Sequence, residues 1–341
     1  MKSLAVKYRP KTFDDVIGQK SIKQILSDQI ETNTQKNCYL FTGGAGTGKT
    51  TCARIFANEI NEGKGSFIEI DAASNNGVDN VREIIDNAKY KSLDSNYKIY
   101  IIDECHMLSN GAWAAMLKLL EEPPPQTIFI LCTTDPQKIP ATILSRVQRY
   151  DFQRITYTAI IDRLKYIIDQ ENLENNIYSY NIEALEWLAN IADGGMRDAI
   201  TLMDKCLSYS NHLSIETVVE TLGTVNYDIM FELTNALIEK DDNKVITIIE
   251  GIHQDGNDLK QFIKQFNYFI LDCYKYSLTG NFSYIQIPSI YEDNLKEWEI
   301  ETYFFIRIIL KEVIKLINDI KWETSPKAII EATFILLSQD D

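Results

Sequence analysis

The chain contains the stretch Tyr39-Leu40-Phe41-Thr42-Gly43-Gly44-Ala45-Gly46-Thr47-Gly48-Lys49-Thr50-Thr51. Its glycine spacing, followed by Lys49 and Thr50, is that of a phosphate-binding loop between a buried strand and a helix. Such a loop directs several backbone N–H groups inward, and the following helix adds its positive N-terminal end. Lys49 is predicted to reach the β and γ phosphates of a nucleotide, and Thr50 to place its hydroxyl on Mg²⁺. The candidate nucleotide-binding residues here are Gly43, Gly44, Ala45, Gly46, Thr47, Gly48, Lys49, Thr50 and Thr51.

A second motif lies further along the chain. The apolar run Lys98–Ile102 ends in Asp103-Glu104, a pattern typical of a strand buried in a parallel sheet with ligand-binding groups at its end. Asp103 is placed to hold Mg²⁺ through water, and Glu104 to orient and polarise the attacking water. A chance glycine-rich loop and two carboxylates that merely cap a strand are the alternatives. The occurrence of both motifs in one chain argues against each of them.

Two further side chains are candidates because of where they follow predicted elements. Thr127–Cys132 predicts another apolar strand, which ends in Thr133-Thr134. If this strand lies beside the strand that ends at Asp103, a threonine hydroxyl comes within reach of the γ-phosphate or the attacking water. Arg146 follows a short helix after Pro140 and lies near the edge of its domain. Its spacing alone favours a solvated surface role.

The segment before the loop is irregular between Pro10 and Gly18, and Ser21–Ile30 then has the period of an amphipathic helix. Such a segment can lie against a nucleotide base, or it can only cover the core, and spacing does not separate the two. Periodicity also predicts helices over 51–62, 78–91 and 109–120 and a short strand over 66–70.

Composition limits the other functions that the chain can have. Its 341 residues suffice for two or three domains. The net charge of −15 is uneven, because residues 1–150 carry 18 basic and 17 acidic residues whereas 151–341 carry 16 and 32. The first part can therefore present a local basic face to DNA phosphates. No apolar run has the length of a membrane span or signal peptide, so we expect no membrane partner and a cytoplasmic location.

The six cysteines are scattered singly, without a C-x-x-C pair or a nearby histidine cluster. This pattern predicts reduced, buried thiols and no zinc site. His106 follows the acidic pair and is interpreted as a packing or hydrogen-bonding residue rather than a metal ligand.

From Thr156 onward the pattern predicts helices only, which points to separate helical domains after the α/β domain. Asp193-Gly194-Gly195 breaks the chain just before Arg197. The segment 281–294 is the least regular. The predicted helices cover 156–172, 181–192, 196–209, 228–239, 243–254, 259–278 and 300–319.

Several motifs occur together in one order along residues 4–210. They are Tyr8-Arg9-Pro10, Val16-Ile17-Gly18-Gln19, Gly43–Thr50, Ile70-Asp71-Ala72-Ala73-Ser74-Asn75, Asp103–Leu108, Leu120-Glu121-Glu122-Pro123-Pro124, Thr133–Pro140, Ile143-Leu144-Ser145-Arg146 and Gly194–Ala199. In this combination the chain resembles the gamma/tau subunits of bacterial DNA polymerase III, the motor of the sliding-clamp loader. The resemblance is weaker in the carboxyl third.

The resemblance implies an AAA+ fold: an α/β P-loop NTPase domain with a parallel sheet and flanking helices over 1–155, a small helical lid over 156–221, and an all-α collar for oligomerisation over 222–341. It also implies roles for individual residues. Thr134 resembles the first sensor of the γ-phosphate, Arg197 the second sensor, and Arg146 an arginine finger that acts in trans on the neighbouring subunit's ATP. Four residues lie where the family contacts adenine: Tyr8, Arg9, Pro10 and Ile17.

Two departures from the family pattern carry expectations of their own. Family members usually have a four-cysteine zinc module before the Ile-Asp-Ala-Ala-Ser segment, but here only Gly63-Lys64-Gly65 joins Glu62 to Ser66. The long tau-type extension is also expected to be absent. Together with Val147 in place of a cysteine after Arg146, these features suggest a short gamma-like form, and a phage-encoded relative is one alternative.

The resemblance implies an ATP hydrolase that uses ATP and Mg²⁺. Its implied partners are other clamp-loader subunits, both copies of itself and delta-type subunits, a sliding clamp, and primer-template DNA held through phosphates. Asn75, Asn76, Arg82 and Lys89 are candidates for DNA contacts. Another AAA+ DNA remodeller, such as a helicase loader or a branch-migration motor, and a non-hydrolysing structural subunit are the alternatives. The intact Lys49, Thr50, Asp103 and Glu104 favour the motor.

Overall fold

The computed structural model describes residues 3–64, 67–90, 95–175, 177–222, 226–298 and 300–339. The chain divides into two compact units. The first comprises residues up to Leu173 together with Ile191–Asp204, and the second comprises Glu174–Asn190 together with residues from Lys205 onward.

A five-stranded sheet forms the centre of the first unit. Its strand order is β2-β3-β4-β1-β5, and every neighbouring pair is parallel. The carboxyl ends of all five strands therefore meet at one edge, where parallel sheets present ligand-binding groups. The strands are β1 Cys38–Gly43, β2 Ile68–Asp71, β3 Lys98–Asp103, β4 Thr127–Thr133 and β5 Gln148–Phe152.

The register of the central strands sets which strand ends are level. In the β1–β4 pair Thr42 is opposite Thr133, and in the β3–β4 pair Ile102 is opposite Leu131. Because β4 lies between β1 and β3, the residues that follow these three strands emerge side by side.

Helices cover both faces of this sheet. The α5 helix begins where the Ser109 side chain accepts a hydrogen bond from the Ala112 N–H at 3.2 Å, and Pro123 follows soon after its end. The helices up to residue 175 are α1 Leu4–Lys7, α2 Lys20–Glu31, α3 Lys49–Ile60, α4 Val78–Ala88, α5 Asn110–Glu121, α6 Ala141–Leu144 and α7 Tyr157–Asn175.

The core of the first unit has one hydrophobic cluster on each face of the sheet. On one face Leu26 of α2 and Phe56 of α3 pack with Phe41 of β1. On the other face Val81 of α4 and Met116 of α5 pack with the strand residues whose side chains point to that face. Strands buried on both faces require continuous apolar runs, as the sequence has them.

The second unit is mainly helical and contains a cluster of aromatic rings. Phe266 lies with its ring centroid 6.1 Å from that of Phe269 and 5.7 Å from that of Phe334. A pair of two-residue parallel strands, β6 Ser179–Tyr180 and β7 His212–Leu213, also belongs to this unit. The remaining helices of the described chain, of which α9 begins in the first unit, are α8 Ile182–Ile191, α9 Met196–Tyr209, α10 Ile215–Leu222, α11 Tyr227–Ile238, α12 Asp242–Gln254, α13 Leu259–Thr279, α14 Glu292–Lys296, α15 Ile300–Asp319 and α16 Lys327–Gln339.

The predicted fold class is confirmed, but several elements differ from the prediction. The expectation of helices alone after Thr156 is wrong, because β6 and β7 form a small strand pair there. The sequence analysis did not predict the strand β5 or the helices α1, α10, α14 and α16. Ser66, predicted to begin the second strand, and Lys91, predicted to end the fourth helix, lie outside the described residues.

All six cysteines are buried and free. Within the described residues, no group of three or more metal-binding side chains is close enough to hold an ion. No helix in the described part of the chain is both long and apolar enough to cross a bilayer.

Candidate functional site

The loop between β1 and α3 has the backbone that a tight phosphate-binding turn requires. Gly43, Gly46 and Gly48 have positive φ angles of 146°, 67° and 101°, which side chains other than glycine rarely adopt. A Cβ atom on Gly43 would lie 2.5 Å from the carbonyl oxygen of Phe152. The close approach of β5 therefore requires glycine at this position.

The tip of the loop contacts the start of α9. A Cβ atom on Gly46 would lie 2.9 Å from the Cα atom of Gly195, and the Met196 N–H donates to the Gly46 carbonyl at 3.0 Å. This contact connects the phosphate-binding loop with the helix turn that carries Arg197.

Lys49 is buried at the first position of α3 and folds back over the loop. Its Nζ donates to the carbonyl oxygens of Gly43 at 2.9 Å and Gly44 at 2.7 Å. Burial lowers the pKa of Lys49, and the nearby carboxylates of Glu104 and Asp103 oppose that shift. A polyphosphate bound in the loop would stabilise the ammonium form further.

Thr50 and Asp103 form a pair of oxygen groups beside the loop. The Thr50 hydroxyl donates to Asp103 Oδ2 at 2.8 Å, while Asp103 Oδ1 accepts from the Glu104 N–H at 3.0 Å. Mg²⁺ prefers hard oxygen ligands and usually keeps several waters while binding one or two protein groups and substrate phosphates. The donor set of Thr50 and Asp103 fits that preference.

Glu104 is held by residues at the end of β4 and by His106. Its Oε2 accepts from the Thr134 hydroxyl at 2.9 Å and lies 3.3 Å from His106 Nδ1. His106 Nδ1 is also 3.0 Å from the Thr133 hydroxyl. The backbone of Glu104 is left-handed, with φ 46°. The predicted adjacency of the Asp103 strand and the threonine strand is therefore confirmed, and the Thr134 hydroxyl contacts Glu104.

A cleft of about 240 Å³ joins these groups. The nucleotide-binding candidates Tyr8, Arg9, Pro10 and Ile17 line it together with loop residues from Ala45 to Thr51, Asp103, Glu104 and Arg197. Gly43 and Gly44, where β1 ends and the loop begins, do not line the cleft. The sequence candidates from four separated segments thus meet around one cavity.

Cationic groups are concentrated near this cleft. Burial lowers the pKa of Arg9, and the charges of Arg54 and Arg197 lower it further. Glu69 and Asp103 act in the opposite direction. Neighbouring guanidinium groups repel one another, and a bound anion stabilises their charged forms. The electrostatics therefore favour a negatively charged ligand.

The amino-terminal segment is fixed by a polar network within the same unit. The Tyr8 hydroxyl donates to Glu171 Oε1 at 2.6 Å, and Lys7 Nζ lies 2.9 Å from the same atom. Arg163 donates to the Tyr8 carbonyl at 3.1 Å. Helix α7 therefore positions the side of the cleft that contains Tyr8 and Arg9.

Two candidate residues outside the phosphate-binding loop also do not line the cleft. Thr134 reaches it only through its hydrogen bond to Glu104. Arg146 lies elsewhere, where its guanidinium is 2.6 Å from Glu121 Oε1 and donates to the Thr142 carbonyl at 2.6 Å. The geometry does not bring Arg146 to its own cleft.

Several residues that line the cleft or hold its loop were missed by the sequence interpretation. Gln19, which lies just before α2, fixes the loop by donating to the Thr47 carbonyl at 3.3 Å and the Gln153 carbonyl at 2.6 Å. Its position inside a recognised motif was a usable signal. The missed residues that line the cleft are Ala5, Val16, Ile155, Arg163, Met196, Asp198 and Ile200. Val16, Met196 and Asp198 also lie inside recognised motifs, whereas the other four had no motif signal.

The sheet order, the loop and the helical regions define the class: the protein has the fold of the AAA+ P-loop NTPases. A structure titled as the RuvB Holliday junction branch migration motor of Thermotoga maritima has the same fold, with a TM-score of 0.52 and 20% identity over 68% of this chain and 80% of that one. The T158V form of the same protein also has a TM-score of 0.52 at 19% identity. At this identity the likeness concerns the fold alone.

Sequence relatives then define the family. A DNA polymerase III subunit gamma from Buchnera aphidicola is 35% identical over 282 residues, which are 76% of this chain and 77% of the relative. The tau subunit of Bacillus subtilis is 36% identical over 97% of this chain, and the gamma/tau subunit of Mycoplasma genitalium is 31% identical over 92%. The chain belongs to the gamma/tau family of DNA polymerase III subunits.

Family models match two adjoining segments. Residues 66–156 match the description "DNA polymerase III, delta subunit", and residues 159–212 match "DNA polymerase III clamp loader subunit, ATPase lid domain". The chain spans 62% of the length of the Bacillus subtilis relative and 54% of the Mycoplasma genitalium one.

Proposed function

We propose that this chain is an ATP-hydrolysing motor subunit of a sliding-clamp loader. One observation carries the proposal: in a chain of the gamma/tau family, the buried Lys49, the Thr50–Asp103 pair and Glu104 surround a single cleft. ATP binding would assemble a ring competent to open the clamp, and primed DNA would trigger hydrolysis and release. Ligand binding energy realised across subunit contacts couples hydrolysis to assembly.

The roles inside the cleft follow from chemistry and position. Lys49 and the loop N–H groups would bind the phosphates, with Tyr8, Arg9, Pro10 and Ile17 beside the base. Thr50 and Asp103 would hold Mg²⁺, the latter through water, and the ion would offset charge on the transferred phosphoryl group. Glu104 would orient the attacking water and accept its proton.

Thr134 would act as the first sensor of the γ-phosphate through its bond to Glu104, and Arg197 as the second sensor from the start of α9. The contact between the loop tip and the first turn of α9 supports the second role, because it places Arg197 close to the loop that would hold the phosphates. A movement of this turn would therefore change the position of Arg197 relative to the phosphates.

The proposed domains are a nucleotide-binding domain over 1–155, a lid over 156–221 and an oligomerisation collar over 222–341. The proposed partners are further copies of this chain, delta-type subunits, the clamp and primer-template DNA. DNA contacts would be made mostly to phosphates and would weaken with salt. Work on replicating bacterial DNA would place the protein in the cytoplasm.

The direct test is ATP turnover by the purified chain with candidate companion subunits, with and without clamp and primer-template. We expect strong stimulation only when clamp and primed DNA are both present. Stimulation by forked or four-way DNA without a clamp would indicate another remodeller. Absence of turnover under every condition would indicate a structural subunit.

Arg146→Ala is expected to leave ATP binding by the same subunit unchanged and to slow hydrolysis in the assembled ring by about 10³-fold. The reason is that Arg146 points away from its own cleft and pairs with Glu121, so it is available to a neighbouring subunit once that pair opens. Turnover per ring and nucleotide affinity of the isolated chain are the measurements.

A mixture provides the control for action in trans. Lys49→Ala subunits would lack bound ATP but still supply Arg146, whereas Arg146→Ala subunits would bind ATP but lack the finger. Mixing the two should restore part of the turnover that neither has alone. Equal loss of activity in an isolated Arg146→Ala monomer would place Arg146 in its own site instead.

A further inference from the structure

A second cleft, of about 490 Å³, lies along β2 and α4, on the opposite side of β3 from β4. Its lining contains three carboxylates and three asparagines, and none of the described lining residues is a lysine or arginine. The lining residues are Ile68, Glu69, Ile70, Asp71, Ser74, Asn75, Asn80, Glu83, Ile84, Asn87 and Tyr100.

The strand that borders this cleft is the edge of the sheet. Within the described residues β2 pairs only with β3, in the register Ile68 with Tyr100 and Asp71 with Asp103. Ile68 is 38% exposed, although it is apolar. The outer side of an edge strand presents N–H and C=O groups to which another extended chain can bond.

Tyr100 gives an independent sign that the cleft receives a polar group. Its side chain is 1% exposed, and its ring stacks on Phe129 with a centroid distance of 5.2 Å. The hydroxyl has no hydrogen-bond partner among the described residues, although burying such a group without a partner is unfavourable. Because Tyr100 lines the cleft, a donor that enters it can satisfy this hydroxyl.

The three carboxylates of the lining differ in the ion pairs and hydrogen bonds that they already make within the protein. Glu69 Oε1 lies 2.5 Å from Arg54 Nη2, and Asp71 accepts from the Ala73 N–H at 2.9 Å and the Ser74 hydroxyl at 3.0 Å. Glu83, on α4, is the carboxylate that faces the cleft from the helix side. The acidic lining disfavours phosphates and favours cations.

Three cations near the cleft already have partners, and one of them, Lys98, has its Nζ 5.9 Å from the centroid of the Tyr100 ring. Lys98 Nζ donates to the Asn87 and Tyr90 carbonyls at 2.5 and 3.3 Å. On α4 itself Arg82 pairs with Asp79 at 3.0 Å, and Lys89 pairs with Asp86 at 2.7 Å. These pairs neutralise the exposed side of the helix and leave the cleft side acidic.

We propose that this edge is a docking site for an extended basic segment of a partner protein, which adds as a strand to β2. Main-chain bonds to β2 would supply affinity, and alternate side chains would supply specificity. A lysine or arginine of the segment would enter the cleft between Glu83 and β2 and donate to the Tyr100 hydroxyl oxygen. The described residues that line this cleft do not line the nucleotide cleft.

The test uses an eight-residue peptide of alternating lysine and valine, with an alternating glutamate and valine peptide as control. Affinity is measured by calorimetry at physiological salt, and amide hydrogen exchange is followed at residues 68–71. We expect binding of the lysine peptide only, with slowed exchange in β2. Binding without protection of β2 would overturn strand addition.

Two charge reversals on α4 distinguish binding of the peptide in the cleft from a general attraction of the peptide to an acidic protein. Glu83→Lys is expected to weaken peptide binding about tenfold, whereas Asp86→Lys changes the net charge equally but lies outside the cleft and should have little effect. Equal losses in both variants would overturn the site.

Tyr100→Phe tests the inner end of the cleft. It keeps the ring that stacks on Phe129 and removes only the unpartnered hydroxyl, so the melting temperature of the free protein should not fall. Peptide affinity should fall about fivefold with the loss of one hydrogen bond. Unchanged affinity would show that no basic side chain reaches Tyr100 and would overturn that part of the proposal.

Discussion

Lys49→Ala is expected to abolish measurable ATP binding. The Lys49 ammonium is buried beneath the loop and bonded to two of its carbonyls, so it is already positioned where phosphates would sit. A charge-assisted hydrogen bond contributes about 1.5–3 kcal/mol, and losing contacts to two phosphates would weaken binding by at least about 100-fold. Equilibrium binding of a fluorescent ATP analogue is the measurement.

The matched control is Lys89→Ala, which removes an exposed lysine paired with Asp86 on α4. It should bind ATP like the unmodified protein. Circular dichroism of both variants separates loss of binding from loss of folding, because Lys49 also satisfies the Gly43 and Gly44 carbonyls. ATP affinity near that of the unmodified protein in a folded Lys49→Ala variant would refute the assignment of the loop.

The parts of the site that depend on local chemistry were predictable. Glycine spacing specified the loop because the backbone needs positive φ at Gly43, Gly46 and Gly48, and the apolar run before Asp103 specified a buried strand. The contact between Thr134 and Glu104 was predictable only on the condition that their strands are neighbours, and the strand order supplies that condition.

Other features depend on contacts between residues far apart in the chain. The Tyr8–Glu171 and Tyr8–Arg163 bonds join residues separated by 163 and 155 positions, so no local pattern indicates them. For Arg163 the sequence offers only the period of α7, which is equally that of an ordinary surface helix.

Short strands were missed because their side chains carry a weak pattern. In β5 the exposed Arg149 and Asp151 alternate with the buried Tyr150 and Phe152, but this alternation covers few residues and follows a turn. With only two residues each, β6 and β7 are too short for any periodicity. Pairing with neighbours, rather than intrinsic preference, makes these segments strands.

Glu104→Gln is expected to bind ATP with nearly unchanged affinity and to hydrolyse it slower by about 10²–10⁴-fold. The glutamine carbonyl can still accept the hydrogen bond that Thr134 now donates to Glu104 Oε2 at 2.9 Å, so the local structure should persist. The amide, unlike the carboxylate, cannot take a proton from water. The measurements are ATP affinity and single-turnover hydrolysis in the assembled complex.

Glu31→Gln, at the exposed carboxyl end of α2, removes the same charge at a distance from the cleft and should retain full turnover. A Glu104→Gln variant with an unaffected rate would mean that another group orients the water. The same substitution distinguishes positioning from binding, since a loss of ATP affinity instead of rate would place the carboxylate on the nucleotide or its metal. Retained affinity with lost turnover would assign Glu104 to the chemical step, because only the group that accepts the proton is changed.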